Sequence, residues 1–170
     1  NGVRNGMIVD LASRLDQSRT GPVVILVERL AHGKALASML GTDFVAGDAP
    51  TPVRQRAWNE LRERRRNLLV TSKIADEGLD IPPLRVLILA GGGKAQHLTI
   101  QRVGRGMRTA EGKDSLLVLD FLDEGKYLKK HAQKRLETYR SQAAYHVETI
   151  DFGDAINAIS QNETPVEGTR

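Results

Sequence analysis

The 170-residue chain contains no cysteine, which excludes disulfides and thiolate metal sites. It has no run of 18 apolar residues and no pattern of a secretory leader, so we expect neither a membrane-spanning helix nor a signal peptide. Charge of one sign is not in large excess: 25 Lys and Arg against 21 Asp and Glu permit a polyanionic partner without requiring one. These absences favour a soluble, cytoplasmic protein built around one main domain.

Long apolar runs are missing, but four short and nearly continuous ones are present. They are "VVILV" (23–27), "LLV" (68–70), "VLIL" (86–89) and "LLVLDF" (116–121). Continuous apolarity is typical of strands covered on both faces, as in a parallel sheet. Because helical candidates lie between the runs, we predict a doubly wound α/β domain whose ligands bind beyond the carboxyl ends of the strands.

Two helical candidates have clear boundaries. Residues 31–40 end at Gly41, a residue typical of helix C-termini, and residues 52–66 begin with Pro52. The apolar stripes predict which side chains are buried: Ala35, Leu36, Met39 and Leu40 in the first helix, and Val53, Ala57, Trp58 and Leu61 in the second. A further apolar-periodic segment, with Met7, Ile8, Leu11 and Leu15, precedes the first strand.

The pattern of apolar and charged residues changes after Asp120. The pattern predicts one long helix over 122–145, then a strand over 146–152, and a polar, flexible tail from Gly153. We therefore expect a main domain at 1–122, a C-terminal helical extension with a packed strand at 123–152, and a tail at 153–170.

The segment "QRVGRGMR" (101–108) concentrates arginine around two glycines. At 100° per residue, Gln101, Arg105 and Arg108 fall within about 60° of one another on a helix. The opposite side carries Ile100, Val103 and Met107. Guanidinium groups bind oxyanions in bidentate fashion, so this face suits phosphate.

A second informative stretch is "VTSKIADEGLDIP" (70–82). Thr71 and Ser72 end a predicted strand, where hydroxyls and backbone N–H groups can bind an oxyanion. Gly78 permits a close backbone approach, and Asp80 can accept hydrogen bonds from hydroxyls. Taken alone, the stretch is equally consistent with a purely structural role, as a strand followed by a capped helix and a turn that ends at Pro82 and Pro83.

Together these motifs resemble the second RecA-like domain of superfamily 2 helicases and translocases. "VVILVERLAHGKAL" is similar to the family's fourth motif, "FVAGDAPTPVRQRAW" to the segment after it, "VTSKIADEGLDIP" to motif V and "QRVGRGMR" to motif VI. Their order and spacing match, and the resemblance covers about residues 7–122. The following "DFLDEGKYLKKHAQKRLETY" is most similar to phage helicases that remodel branched DNA.

The resemblance implies a role for each motif. Arg105 and Arg108 become arginine fingers for ATP held on another domain. Gly78 and Asp80 border the ribose and phosphate side of the nucleotide, and Gln101 contacts the nucleotide or couples it to the nucleic-acid side. The implied contacts with the nucleic-acid backbone are made by five residues: His32, Gly33, Gly47, Thr71 and Ser72.

The family's phosphate loop, G-x-x-x-x-G-K-[ST], and its acidic Mg²⁺ motif are both missing from the chain. "GGGKAQ" (91–96) fails the pattern because Ile88 stands where glycine is required and Ala95 follows the lysine. We therefore expect ATP and Mg²⁺ to be bound mainly by an N-terminal RecA-like domain, and the isolated chain to be inactive. The sequence equally allows a fragment of a longer protein or a separate subunit.

Several alternatives stay open. The chain could be a non-catalytic nucleic-acid-binding module, or the same motor half could act on RNA or on duplex DNA instead of single-stranded or branched DNA. The run "RERRR" (62–66) could bind phosphate or form a solvated helix face. His32 could contact DNA or stabilise a turn. The histidines lack metal-ligand spacing, so we expect no metal site. We also expect no membrane partner, and a location in the host cytoplasm if the protein is of phage origin.

Overall fold

A computed structural model of the chain describes residues 2–18, 21–74, 84–91, 100, 116–122 and 126–161. The strands in these ranges are β1 (Val23–Leu26), β2 (Phe44–Val45), β3 (Leu68–Thr71), β4 (Val86–Leu89) and β5 (Leu117–Asp120). The helices are α1 (Gly2–Gln17), α2 (Leu30–Leu40), α3 (Thr51–Arg62), α4 (Lys126–Arg140) and α5 (Phe152–Ser160).

The five strands form one parallel sheet in the order β2-β3-β1-β4-β5. The four predicted apolar runs correspond to β1, β3, β4 and β5, and every residue of β1, β3 and β4 is buried. The doubly wound α/β prediction is confirmed. The sequence pattern missed β2, because a two-residue edge strand is too short to show a period.

The core consists of two clusters, one on each face of the sheet. Alternate residues of a strand point to opposite faces, so Val24 belongs to one cluster and Val23 and Ile25 to the other. Trp58 is 2% exposed in the first cluster, as predicted. Ile8 and Leu15 of α1 lie in the second cluster, where they cover the other face.

Two predicted helix stripes are partly wrong. Helix α2 buries Gly33, Leu36 and Ala37, while Met39 is 53% exposed. The buried stripe is rotated because Gly33 lets α2 sit against the ring of Phe44, where a larger side chain would not fit. Val53 is also half exposed, because it lies in the first turn of α3, at the periphery of the core.

The C-terminal region differs most from the prediction. Helix α4 ends at Arg140 instead of continuing to 145. Residues 146–151, all described, form no strand, although Val147 packs against the core, so the predicted strand over 146–152 is wrong. Helix α5 replaces the start of the predicted tail because it packs on α1, where Ile159 joins the core and Arg14 donates to the hydroxyl of Ser160 at 3.2 Å. The domain boundaries at 122 and 152 stay predictions.

Candidate nucleic-acid interface

All five strands run in the same direction, so their carboxyl ends lie along one side of the sheet, here called the carboxyl edge. Ligands of open α/β sheets bind outside this edge. Among the predicted contact residues, Gly47 follows β2, Ser72 follows β3 and His32 lies in the first turn of α2, which follows β1. The fold therefore brings all three to the same side of the sheet.

Gly47 and Ser72 form a small polar notch. The Gly47 N–H donates to Ser72 Oγ at 2.8 Å, joining the ends of two neighbouring strands. A Cβ on Gly47 would lie 2.6 Å from Cβ of Lys73, so only glycine permits this approach. Ser72 Oγ accepts this hydrogen bond and still carries a hydroxyl proton that can be donated to an anionic oxygen.

Thr71 is 1% exposed, and its hydroxyl lies between two backbone carbonyls. Thr71 Oγ1 is 2.8 Å from the carbonyl oxygen of Val45 and 3.0 Å from that of Lys73. The Lys73 N–H in turn donates to Thr71 Oγ1 at 3.3 Å. The Thr71 side chain thus faces the protein interior and fixes the turn that presents Ser72.

Lys73 was missed by the sequence reasoning. It is exposed and immediately follows Ser72, and its side chain packs beside Gly47. The positive charge of this exposed residue, beside the notch, favours an anionic ligand there. The signal was present in the sequence, since a lysine directly after a Thr-Ser pair at a strand end is a natural anion contact, but the spacing alone did not distinguish it from ordinary surface charge.

His32 is held by α1. Its Nε2 lies 3.0 Å from Oδ1 of Asn5, within hydrogen-bond distance. Burial and, secondarily, the positive charge of Arg4 lower the pKa of His32 below its ordinary value. The lowered pKa favours the uncharged imidazole at neutral pH. Through Asn5, His32 links the start of α2 to α1.

Gly33 has a packing role in this structure. A Cβ at this position would lie 2.3 Å from Cε2 of Phe44. Gly33 itself is buried, so its contribution to the edge is the close approach of α2 to β2.

Arg4 connects the other half of the carboxyl edge to α1. Its guanidinium donates to the carbonyl of Gly91, just after β4, at 3.3 Å and lies 5.2 Å from the centre of the Phe121 ring, just after β5. These partners are 87 and 117 positions away along the chain, so no local pattern could have indicated them.

Asp120 accepts four hydrogen bonds at the carboxyl end of β5. Its Oδ2 accepts from Arg135 Nε at 2.8 Å and from the Tyr139 hydroxyl at 3.0 Å. Its Oδ1 accepts from Arg135 NH2 at 3.1 Å and from the Phe121 N–H at 2.8 Å. Burial and the carboxylate together raise the pKa of Tyr139. This buried cluster anchors α4 to the end of β5.

The predicted nucleotide contacts lie outside the described residues. These are Gln101, Arg105, Arg108, Gly78 and Asp80. Within the described ranges, no group of three or more His, Asp or Glu side chains could hold a metal ion. In the same part of the chain, each helix is too short or too polar to cross a membrane.

The five-stranded parallel sheet with its flanking helices defines a class of fold, the RecA-like α/β domain. Phage T4 UvsW, a solved structure, superposes with a TM-score of 0.65 at 22% identity, covering 88% of this chain and 35% of that one. The C-terminal domain of the DEAD-box protein Dbp5 gives a TM-score of 0.65 at 19% identity, covering 95% and 92% of the two chains. These similarities confirm the RecA-like fold.

The family follows from the sequence. Residues 6–110 match the helicase conserved C-terminal domain, so the chain belongs to that family of helicase domains. A protein named as the DNA 3'-5' helicase Rad25 in Halobacterium salinarum is 32% identical over 123 residues, which are 72% of this chain and 20% of that protein. The ATP-dependent DNA helicase uvsW of Enterobacteria phage T4 is 23% identical over 167 residues, 85% of this chain and 33% of that protein. The chain spans about a fifth of the length of the first curated relatives it matches.

Proposed function

We propose that this chain is the C-terminal motor domain of an ATP-dependent DNA helicase or translocase, and that the notch at Gly47 and Ser72 contacts the nucleic-acid backbone. The observation that carries the proposal is the meeting of these two residues at the carboxyl edge of a helicase C-terminal domain. The Ser72 hydroxyl, held by the Gly47 N–H beside Lys73, offers a donor to phosphate, and neither Gly47 nor Ser72 has a ring on which a base could stack. The contact would therefore be independent of base sequence.

In this proposal Thr71 and Gly33 are positioning residues. Thr71 fixes the turn that presents Ser72, and Gly33 lets α2 close on Phe44. His32 sets the start of α2 through Asn5. Single-stranded or branched DNA is the substrate we favour, since a DNA helicase of phage T4 and a protein named as an archaeal DNA helicase are among the relatives.

The nucleotide half of the proposal depends on the motif resemblance. Arg105 and Arg108 would reach the transferred phosphate of ATP, while Gln101, Gly78 and Asp80 would border the nucleotide. ATP and Mg²⁺ would be bound mainly by an N-terminal RecA-like domain, since the phosphate loop is not among these 170 residues. Such arginines lower the barrier to phosphoryl transfer by about 4–7 kcal/mol, because they meet charge that develops in the transition state.

The nucleic-acid half can be tested on the 170-residue chain, because the Dbp5 domain, of which the match covers 92%, was solved as a separate domain. Fluorescence anisotropy with a single-stranded oligothymidine should show weak binding. Two or three phosphate contacts would weaken it about tenfold between roughly 50 and 200 mM salt. Ser72→Ala should weaken binding about threefold to tenfold, because one solvent-accessible hydrogen bond, of about 0.7–1.4 kcal/mol, is lost.

The matched control is Ser38→Ala, which removes an exposed hydroxyl near the C-terminal end of α2, away from the carboxyl edge. It should leave the affinity unchanged. An oligouridine of the same length tests the RNA alternative. Equal losses for the two serine variants, or binding that ignores salt, would overturn the placement of the backbone contact at the notch.

A further inference from the structure

A basic surface lies at the amino ends of the strands, opposite the end at which the notch lies. It comprises residues 62–66, here called the arginine turn, which connects α3 to β3. Because only Asn67 separates the turn from the first residue of β3, the turn lies at the amino ends of the parallel strands. The carboxyl edge, where the proposed motor contacts are, is at the other end of the same strands.

The turn has a rigid base and an exposed positive rim. Arg66 is 19% exposed and donates to Asp43 at 2.6 Å and to Glu60 at 3.0 Å, which fixes the base. On the rim, Arg62, Arg64 and Arg65 are all exposed. Arg65 is paired with Glu63, and Arg62 donates to the amide oxygen of Asn59 at 2.7 Å. Because the rim holds three arginines and one glutamate, its net charge is positive.

Arg64 occupies a backbone conformation that favours glycine. Its φ is 57°, and it is the one non-glycine residue with positive φ in the described ranges. Helix α2 ends in the same left-handed conformation, with Gly41 at φ 62°. Two helices of one domain thus end alike, but α3 has arginine where α2 has the residue that fits without strain. An arginine in this position costs stability, which indicates that its side chain serves another purpose.

We propose that the arginine turn binds the phosphate backbone of double-stranded DNA flanking the strand held at the carboxyl edge; this inference rests on the proposed nucleic-acid motor function. Charge selects a polyanion. Single strands are usually bound with aromatic rings on which bases stack, and the one tryptophan of α3, Trp58, is buried. A duplex presents its phosphates outward, so guanidinium groups alone suffice. A duplex is also stiff over the width of a domain, so it can extend to the far edge.

The decisive variant is Arg64→Gly, because it removes the charge while relieving the backbone. For a blunt duplex measured by fluorescence anisotropy, we expect the Kd of the 170-residue chain to rise about threefold to fivefold. The slope of log affinity against log salt should become shallower by about 0.9, the contribution of one phosphate contact. The midpoint of thermal unfolding should stay the same or rise by about 1–4 °C.

Two controls separate charge from structure. Arg64→Lys keeps the charge and the strained backbone, and it should bind the duplex within about twofold of the original chain. Arg14→Gln removes a positive charge from α1, where Arg14 Nε is already paired with Asp10 at 2.8 Å, and it should not change duplex affinity. Single-strand affinity should be unaffected by Arg64→Gly and reduced by Ser72→Ala.

Other outcomes are equally clear. Unchanged duplex affinity of Arg64→Gly, or a loss matched by Arg14→Gln, would overturn the arginine turn as a duplex site while leaving the notch proposal standing. A lowered unfolding midpoint would also contradict it, since the arginine would then be structural. Binding of a polyglutamate peptide in place of duplex DNA would assign the surface to an acidic protein partner and refute the proposal. If the original chain bound neither nucleic acid, the proposed function itself would fail.

Discussion

Replacing Asp120 with asparagine should destabilise the domain strongly. Both carboxylate oxygens already accept two hydrogen bonds each, from Arg135, Tyr139 and the N–H of Phe121. Whichever oxygen becomes an amide NH2 in Asp120→Asn would face two donors and could accept from neither. The change also removes the negative charge beside Arg135, whose side chain is 4% exposed.

The expected loss follows from this burial. Removing one partner of a buried ion pair leaves an uncompensated charge and costs about 3–5 kcal/mol. For a chain of this size, about 1 kcal/mol shifts the unfolding midpoint by about 2–4 °C, so Asp120→Asn should lower it by about 6–20 °C. Thermal unfolding followed by circular dichroism measures this shift directly. The near-ultraviolet signal should also change, because the Tyr139 hydroxyl donates to this carboxylate and the substitution alters its surroundings.

Asp43→Asn is the matched control. Asp43 is 73% exposed, and its partner Arg66 keeps a second carboxylate, that of Glu60. An exposed pair contributes about 0–1 kcal/mol, so the midpoint should fall by at most about 4 °C. If the two variants behaved alike, the reasoning that burial makes the Asp120 cluster the anchor of α4 would be refuted.

Two further predictions concern α2 and can be checked in the same unfolding experiments. Gly33→Ala should lower the free energy of unfolding by about 1–3 kcal/mol, because the new methyl group clashes with the ring of Phe44. Gly6→Ala, at a position on α1 with open space, should raise it by about 0.5–1 kcal/mol. Equal effects would contradict the packing role of Gly33. His32 is kept neutral in the folded state, so the unfolded chain binds the extra proton, and stability should fall as the pH drops below its ordinary pKa of 6.5. His32→Gln should lose less stability between about pH 7 and pH 5 than the original chain does, and an identical loss would refute this assignment.

The sequence predicted the sheet well because a parallel sheet leaves a local signature. Strands covered on both faces, such as "VLIL" in β4, stay apolar over consecutive positions. The helix end at Gly41 was also predictable, since the left-handed conformation there favours one residue type. By contrast, the burial of Gly33 depends on Phe44, whose position in space is set by the sheet and not by nearby sequence.

The C-terminal region shows where local patterns fail. Residues 146–152 contain types that favour strands, namely Val147, Thr149, Ile150 and Phe152, but a strand also needs a neighbour with which to pair. Sequence does not reveal whether such a neighbour is available. Helix α5 has only 9 residues, and it is stabilised by packing on α1, at the other end of the chain. At the carboxyl edge, the positions of Ser72 and Gly47 after strands were predictable, whereas their hydrogen bond depended on β2 and β3 being neighbours.

The central proposal is that this domain contributes arginines to ATP bound elsewhere in a helicase. The most direct test is DNA-stimulated ATP turnover by an enzyme that joins this chain to a phosphate-loop domain. Arg105→Ala and Arg108→Ala should each lower turnover by at least about a hundredfold, while Arg102→Ala, on a different side of the predicted helix, should lose less. Equal losses for all three variants, or DNA-stimulated turnover by the 170-residue chain alone, would contradict the account.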